Sequence, residues 1–188
     1  MGLSIKTCYT VKIQKQLDAT QDKTTEKLNI ARKRAVDSRL MRQTSLICLE
    51  ALKFCVSVIS EEWDTIMGVE SKLRKRLIDT LVHRTKTAVP KYPEFDLKFP
   101  KMPGYTRRAI IADAFGMVKS YRSNHKNWKE TPPMERGAEP TLGIPSRYEL
   151  TFYDQERKMS CLADSQIGLK LYNGKTWNWY YFQIRPSD

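Results

Sequence analysis

Four cations, Lys119, Arg122, Lys126 and Lys129, recur at intervals of three and four residues within the segment from Gly104 to Lys129. On a helix that spacing gathers them along one side. Ile111, Ala114, Phe115, Val118, Tyr121, His125 and Trp128 keep the same rhythm on another side, so the segment reads as a helix anchored by aromatic packing with a positive row beside it. Such a row can follow the phosphates of a nucleic-acid strand. It can equally be a solvated face, as most Lys- and Arg-bearing helix surfaces are. Lys72, Arg74, Lys75, Arg76 and Arg84, set against the single Asp79, make a second basic surface open to the same two readings.

Catalytic chemistry finds no support. The chain holds no Gly-rich phosphate loop, no Gly-x-Ser-x-Gly elbow and no His-Glu-x-x-His pair. Its two histidines, His83 at the end of a basic helix and His125 on an apolar face, read as partly buried, satisfied side chains. Glu61, Glu62 and Asp64 are the one dense acidic cluster, but neighbouring carboxylates on a helix end diverge, whereas a two-metal nuclease converges carboxylates from separate elements. The cysteines Cys8, Cys48, Cys55 and Cys161 show no zinc spacing. Cys48 and Cys55 share a helix face about 10 Å apart along its axis, too far for a disulfide. No catalytic residue, metal ligand or cofactor is expected in this chain.

Lys and Arg total 33 against 21 Asp and Glu, a formal charge of +12 that favours a polyanionic partner. Membrane headgroups compete for that role, but no run of about 18 apolar residues and no signal peptide or lipidation motif is present, so no membrane association is expected. Nucleic acid is the better match. Cysteines used as small core residues fit a reducing, cytoplasmic setting.

The elements that would position these faces come in the order strand, helices, strands. Ile5 to Ile13 alternates as a half-buried strand. From about Thr24 to Arg84 the period is helical, with Leu28, Ala31 and Ala35, the apolar Leu46 to Ile59, and then Leu73, Leu77, Ile78, Leu81 and Val82 implying two or three packed helices. Residues 86 to 105 mix four prolines with Tyr92, Phe95, Phe99 and Tyr105, which forbids a regular helix and suits an extended strap over apolar surface. Residues 131 to 145 read as a further loop. Beyond it, Tyr148 to Tyr153, Lys158 to Leu162, Gln166 to Tyr172 and Thr176 to Ile184 are strand candidates. Asn173-Gly174 between the last two predicts a hairpin with a type I′ turn. Trp177, Trp179 and Tyr181 would occupy one face of the final strand and Tyr180 and Phe182 the other, as in a strand buried between layers or one that offers rings for base stacking. An isolated first strand needs partners, so the fold class expected is α+β, with both chain ends in one discontinuous β-domain and the helices inserted into it.

The run His83-Arg84-Thr85-Lys86, Pro90-Lys91-Tyr92, Phe95-Asp96, Phe99-Pro100-Lys101-Met102-Pro103-Gly104-Tyr105, Arg107-Arg108-Ala109-Ile110-Ile111-Ala112, Ser120-Tyr121-Arg122-Ser123-Asn124-His125 and Asn127-Trp128 resembles the N-terminal half of TnpB proteins, the OrfB-type transposases of insertion sequences. Leu150-Thr151-Phe152-Tyr153 and Ile167 to Trp179 also resemble that family. The resemblance implies a wedge β-barrel of oligonucleotide-binding type, residues 1–16 and 145–188, interrupted by a helical recognition domain, 17–144, with the Pro-rich connector at 86–105. It implies a guide-like RNA and target DNA as partners, bound mainly through phosphates while base pairing selects sequence. The RuvC nuclease domain and zinc ribbon of that family would lie beyond Asp188, so the expectation is binding without cutting. A RuvC-type nuclease acting in trans, or an inactive transposase remnant, are the alternatives. The nucleic-acid contacts expected are Arg107, Arg108, Lys119, Arg122 and Lys126, with Tyr121 and Asn124 shared between contact and packing and Lys72, Lys75 and Arg76 as a second row.

Overall fold

The computed structural model describes residues 13–14, 23–152, 157–159 and 166–184. Five helices, α1 (Lys23–Glu61), α2 (Trp63–Met67), α3 (Arg74–Val82), α4 (Glu94–Lys98) and α5 (Gly104–Glu130), stand with an antiparallel sheet of β1 (Ile13–Gln14), β2 (Arg157–Met159), β3 (Gln166–Tyr172) and β4 (Trp177–Ile184) in the order β1-β4-β3-β2. The fold is α+β. Ile13 pairs with Ile184 and Gln14 with Gln183, so segments from the two ends of the chain meet in one sheet. The rest of the strand expected over Ile5 to Ile13, with Cys8, lies outside the described residues, as do Cys161 and the end of the Lys158 to Leu162 candidate.

Leu46 to Ile59 supplies the centre of the helical layer. Cys48, Leu49, Ala51, Leu52, Cys55, Val56, Val58 and Ile59 of α1 are buried, joined by Ile66, Ile78, Val82, Ile110, Ile111, Ala114 and Val118. The buried positions of α1 cover a broad arc because α5 packs along one side and the hairpin and residues 146–150 cover others. By length and composition Ser38–Glu61 is apolar enough to cross a bilayer, with a mean hydropathy of 1.4, and half of that stretch is buried inside the protein. Cys48 and Cys55 are both buried, and burial pushes the Cys55 thiol up to about 12.

The Pro-rich connector packs over the core as expected, but it is not free of helix: α4 occupies Glu94–Lys98 and α5 begins at Gly104. Phe95, Phe99 and Met102 are buried in the core, Phe95 and Phe99 both meet the Phe54 ring edge-on, and one turn of helix, α4, is admitted between the prolines. Glu62 fastens the strap to the end of α1. Its carboxylate accepts hydrogen bonds from the Lys91 ammonium and from Tyr92 Oη at 2.7 Å, and it is buried where the other acidic residues of its cluster, Glu61 and Asp64, are exposed. The Lys91 bond, then the Tyr92 bond, hold the Glu62 carboxyl below its ordinary 4.5. A depressed carboxyl stabilises the fold fully above its unfolded pKa, and that contribution is lost as pH falls through the folded value. Glu62→Gln is therefore expected to cost about 1 kcal/mol near neutral pH. The urea midpoint of the wild type should fall more steeply than that of the variant between about pH 5 and about pH 3.

Two β expectations need correction. Residues 148 to 152 form no strand, although Tyr148 is buried, Leu150 and Phe152 are half-buried, and Glu149 and Thr151 are exposed. The period of two is real, but it belongs to an extended chain laid across α1 and α5. Ser45 Oγ donates to Tyr148 O at 2.6 Å, and Tyr148 Oη donates to Asp113 at 2.8 Å. The hairpin forms between β3 and β4, but its turn is not type I′. Tyr172 pairs with Trp177 across residues 173–176, and positive φ occurs at Gly174 (94°) and not at Asn173. Asn173 Oδ1 instead accepts from the N–H groups of Lys175 (3.0 Å) and Thr176 (2.9 Å), so the side chain closes the loop. A Cβ on Gly174 would also come within 3.2 Å of the Gln43 side chain. Next to that turn Tyr172 N donates to Thr44 Oγ1 at 2.9 Å, which ties the end of β3 to α1.

On β4 the aromatic faces are unequal. Phe182 and Tyr180 pack with Leu169, Leu171 and Leu40, whereas Trp177 enters the helical core and Tyr181 is 45% exposed. The face that carries Trp177 is covered at its turn end and open at Tyr181.

Candidate nucleic-acid interface

Helix α5 grows out of Pro103, whose φ of −58° suits a helix entry, and ends where Thr131 turns extended ahead of Pro132 and Pro133. Ala109, Ile110, Ile111, Ala114 and Val118 hold its first half in the core. The second half is held by rings. Tyr121, His125 and Trp128 stack in succession, with centroids 5.6 and 6.0 Å apart. The following loop locks onto this column: Arg136 lies over Trp128 at 5.1 Å, Trp128 Nε1 donates to Gly137 O at 2.9 Å, and His125 Nε2 meets Glu139 at 3.0 Å. Arg136 also donates to the carbonyls of Thr131 and Lys129, which satisfies the C-terminal end of the helix.

Lys119, Arg122 and Lys126 are all exposed, in the row that their spacing implies. Arg122 is positioned from two directions. Its guanidinium lies 5.0 Å from the centroid of Trp63 and donates to Ser60 O at 3.1 Å, and Trp63 is itself stacked on Phe115. A guanidinium laid on a ring keeps most of its N–H donors free for an incoming phosphate. Lys126 reaches Glu130 at a loose 3.7 Å with both side chains largely exposed, so that pair competes weakly with an incoming phosphate. Arg108 is exposed and rests over the Tyr105 ring at 4.7 Å. Tyr121 is half-buried as part of the ring column, and Asn124 is exposed.

Arg107 must be removed from the contacts expected. It is only 8% exposed, and its Nε donates to Asp79 of α3 at 2.7 Å. Its neighbour Arg108 points to solvent because adjacent helix positions diverge by about 100°. Lys72, Lys75 and Arg76 are exposed, Lys72 beside Glu70 at 3.0 Å. Lys75 and Arg76 are helical neighbours of Asp79, so the second row borders the seam where α3 meets α5.

Three parts of this surface escaped the residue pattern. Trp63 as a platform for Arg122 joins positions far apart in the chain, and no local spacing reports such a meeting. Arg136 reads from sequence as a loop residue, yet it caps α5. A groove along α5 opposite residues 141–143 is lined by Asp113, Gly116, Ser120, Tyr121 and Asn124, and the isolated glycine within a helical pattern was its one legible signal. Among the described residues no group of three or more His, Cys, Asp or Glu side chains is placed to hold a metal ion.

The family model of the Aq_aa04 family matches residues 24–173, which runs from the start of α1 to the turn of the hairpin. No curated protein and no solved structure matches the chain.

Proposed function

The chain belongs to the Aq_aa04 family, and we propose that it works as a nucleic-acid-binding module that grips structured RNA through α5. The observation that supports this best is the exposed row Lys119, Arg122 and Lys126, with the middle guanidinium fixed on Trp63 and a single acidic side chain, Glu130, paired to the row. The row spans about 10 Å along the helix axis, long enough to meet more than one phosphate. Arg108 on its tyrosine extends it towards the start of α5, and Lys72, Lys75 and Arg76 supply a second charged surface.

In its finer form the proposal makes this chain the wedge and recognition half of a TnpB-like protein. The sheet that joins β1 to β4 would then be part of an oligonucleotide-binding barrel, the helices the part inserted into it, and a guide-like RNA paired to target DNA the physiological ligand. Base pairing would select the sequence and the cations would hold the backbone. Binding without cutting is the activity proposed for these 188 residues.

Counterion release tests it. Affinity for a structured RNA should fall linearly on a log–log plot against salt, with a slope of about −2 to −4 for three to five phosphates neutralised. Fluorescence anisotropy of a labelled RNA hairpin between about 50 and about 200 mM salt reads that slope. No binding at the low end, or binding indifferent to salt, would overturn the proposal.

A further inference from the structure

Gly116 lies in the middle of α5, exposed, and a Cβ built on it would find no heavy atom of the described protein within 4 Å. Glycine is a costly residue inside a helix, and its uses are a positive φ or a close approach to bare backbone. Gly116 has no positive φ, since among the described glycines that conformation occurs at Gly174. Among the described residues no side chain presses on it either, so its bare backbone is open to a ligand.

The surroundings say what kind of thing. Gly116 floors a groove of about 570 Å³ between α5 and residues 141–143, a size within the range of small-ligand sites. Its lining mixes the polar Asp113, Ser120, Asn124 and Thr141 with the apolar Ala112, Met117 and Leu142. Asp113 is held in place by Tyr148 Oη at 2.8 Å, and Tyr121 is stacked on His125. Ser120 and Asn124 follow Gly116 at four-residue steps, so they continue one ridge along the groove, and Lys119 is the neighbour of Gly116 three positions on. A flat floor, a ring at the side, an amide and a carboxylate at the edges and a cation one step away match the parts of a nucleotide.

We propose that the groove over Gly116 seats one unstacked nucleobase of a bound single strand, with the adjoining phosphate at Lys119. Asn124 offers a donor and an acceptor side by side, the pair complementary to the edge of adenine, and Asp113 accepts from an exocyclic amine, so the site favours amino-bearing bases. A base lying flat needs the backbone clear of a side chain, which is what glycine supplies. The proposal rests on the nucleic-acid reading above and adds to it a pocket that the phosphate row does not require.

Gly116→Leu fills the groove with a good helix former, and the absence of neighbours within 4 Å leaves room for it. Anisotropy with labelled oligoadenylate and with an RNA duplex of equal charge separates base seating from backbone grip. The variant should keep its helical circular dichroism, bind the duplex like the wild type, and bind oligoadenylate about ten-fold more weakly with an unchanged salt slope. Asn124→Ala, an exposed change, should weaken oligoadenylate and spare oligouridylate. Equal binding of oligoadenylate by wild type and Gly116→Leu overturns the pocket, as does an equal loss on oligoadenylate and duplex. A wild-type protein that binds neither ligand overturns the nucleic-acid reading itself, a different failure.

Discussion

Changing Lys119, Arg122 and Lys126 together to Glu lowers the affinity for structured RNA by about a hundred-fold or more at moderate salt and flattens the salt slope by about three, one for each cation removed. Reversal does more than neutralise, because each new carboxylate repels the phosphate it faces. Arg122 has a structural share through Trp63 and Ser60 O, so the Lys119→Glu, Lys126→Glu pair is the cleaner variant: both lysines are exposed and neither packs on the core. The pair should lose about two units of slope with thermal stability unchanged. Unaltered binding by either variant at low salt would place the interface elsewhere, with Lys72, Lys75 and Arg76 the first positions to examine.

Arg107→Met destabilises the protein by about 3 kcal/mol, because it strands the Asp79 carboxylate in the seam between α3 and α5. The Arg107 side chain is 9% exposed and that of Asp79 is 24%, so water rescues the orphan only in part. Removing both charges, as Arg107→Met with Asp79→Leu, should recover most of the loss, since a buried pair earns little over well-packed apolar groups while a broken one costs heavily. Urea denaturation of the two single variants and the double variant measures the coupling. RNA binding by Arg107→Met, assayed where it is still folded, should equal that of the wild type. A reduced salt slope with intact stability would return Arg107 to the phosphate contacts.

Period and punctuation made much of the fold legible. The apolar spacing of Ile111, Ala114 and Val118 marks the buried side of α5, the prolines between 86 and 105 mark the strap, and alternation marks β3 and β4 nearly to the residue. Tyr148 to Phe152 misled because alternation reports which residues are covered and not what covers them; helices can do it as well as a neighbouring strand. Asn173-Gly174 located the turn but not its type, since the Asn173 side chain provided hydrogen bonds that a backbone conformation would otherwise supply. Among the cations, spacing could place Arg107 and Arg108 side by side but could not tell which met Asp79. That choice depends on how α3 is rotated against α5, a tertiary fact with no local trace. The same holds for Trp63 beneath Arg122.

The pairing of Ile13 with Ile184 also bears on how the molecule is made. The helices and the β3–β4 hairpin rely on partners close along the chain and can assemble early, whereas the β1–β4 ladder must close a loop that includes almost every other residue. On the ribosome that last seam cannot zip until residue 184 has emerged. The sheet is thus completed only when both of its distant segments are available, as a clasp fastened over helices whose partners lie closer along the chain.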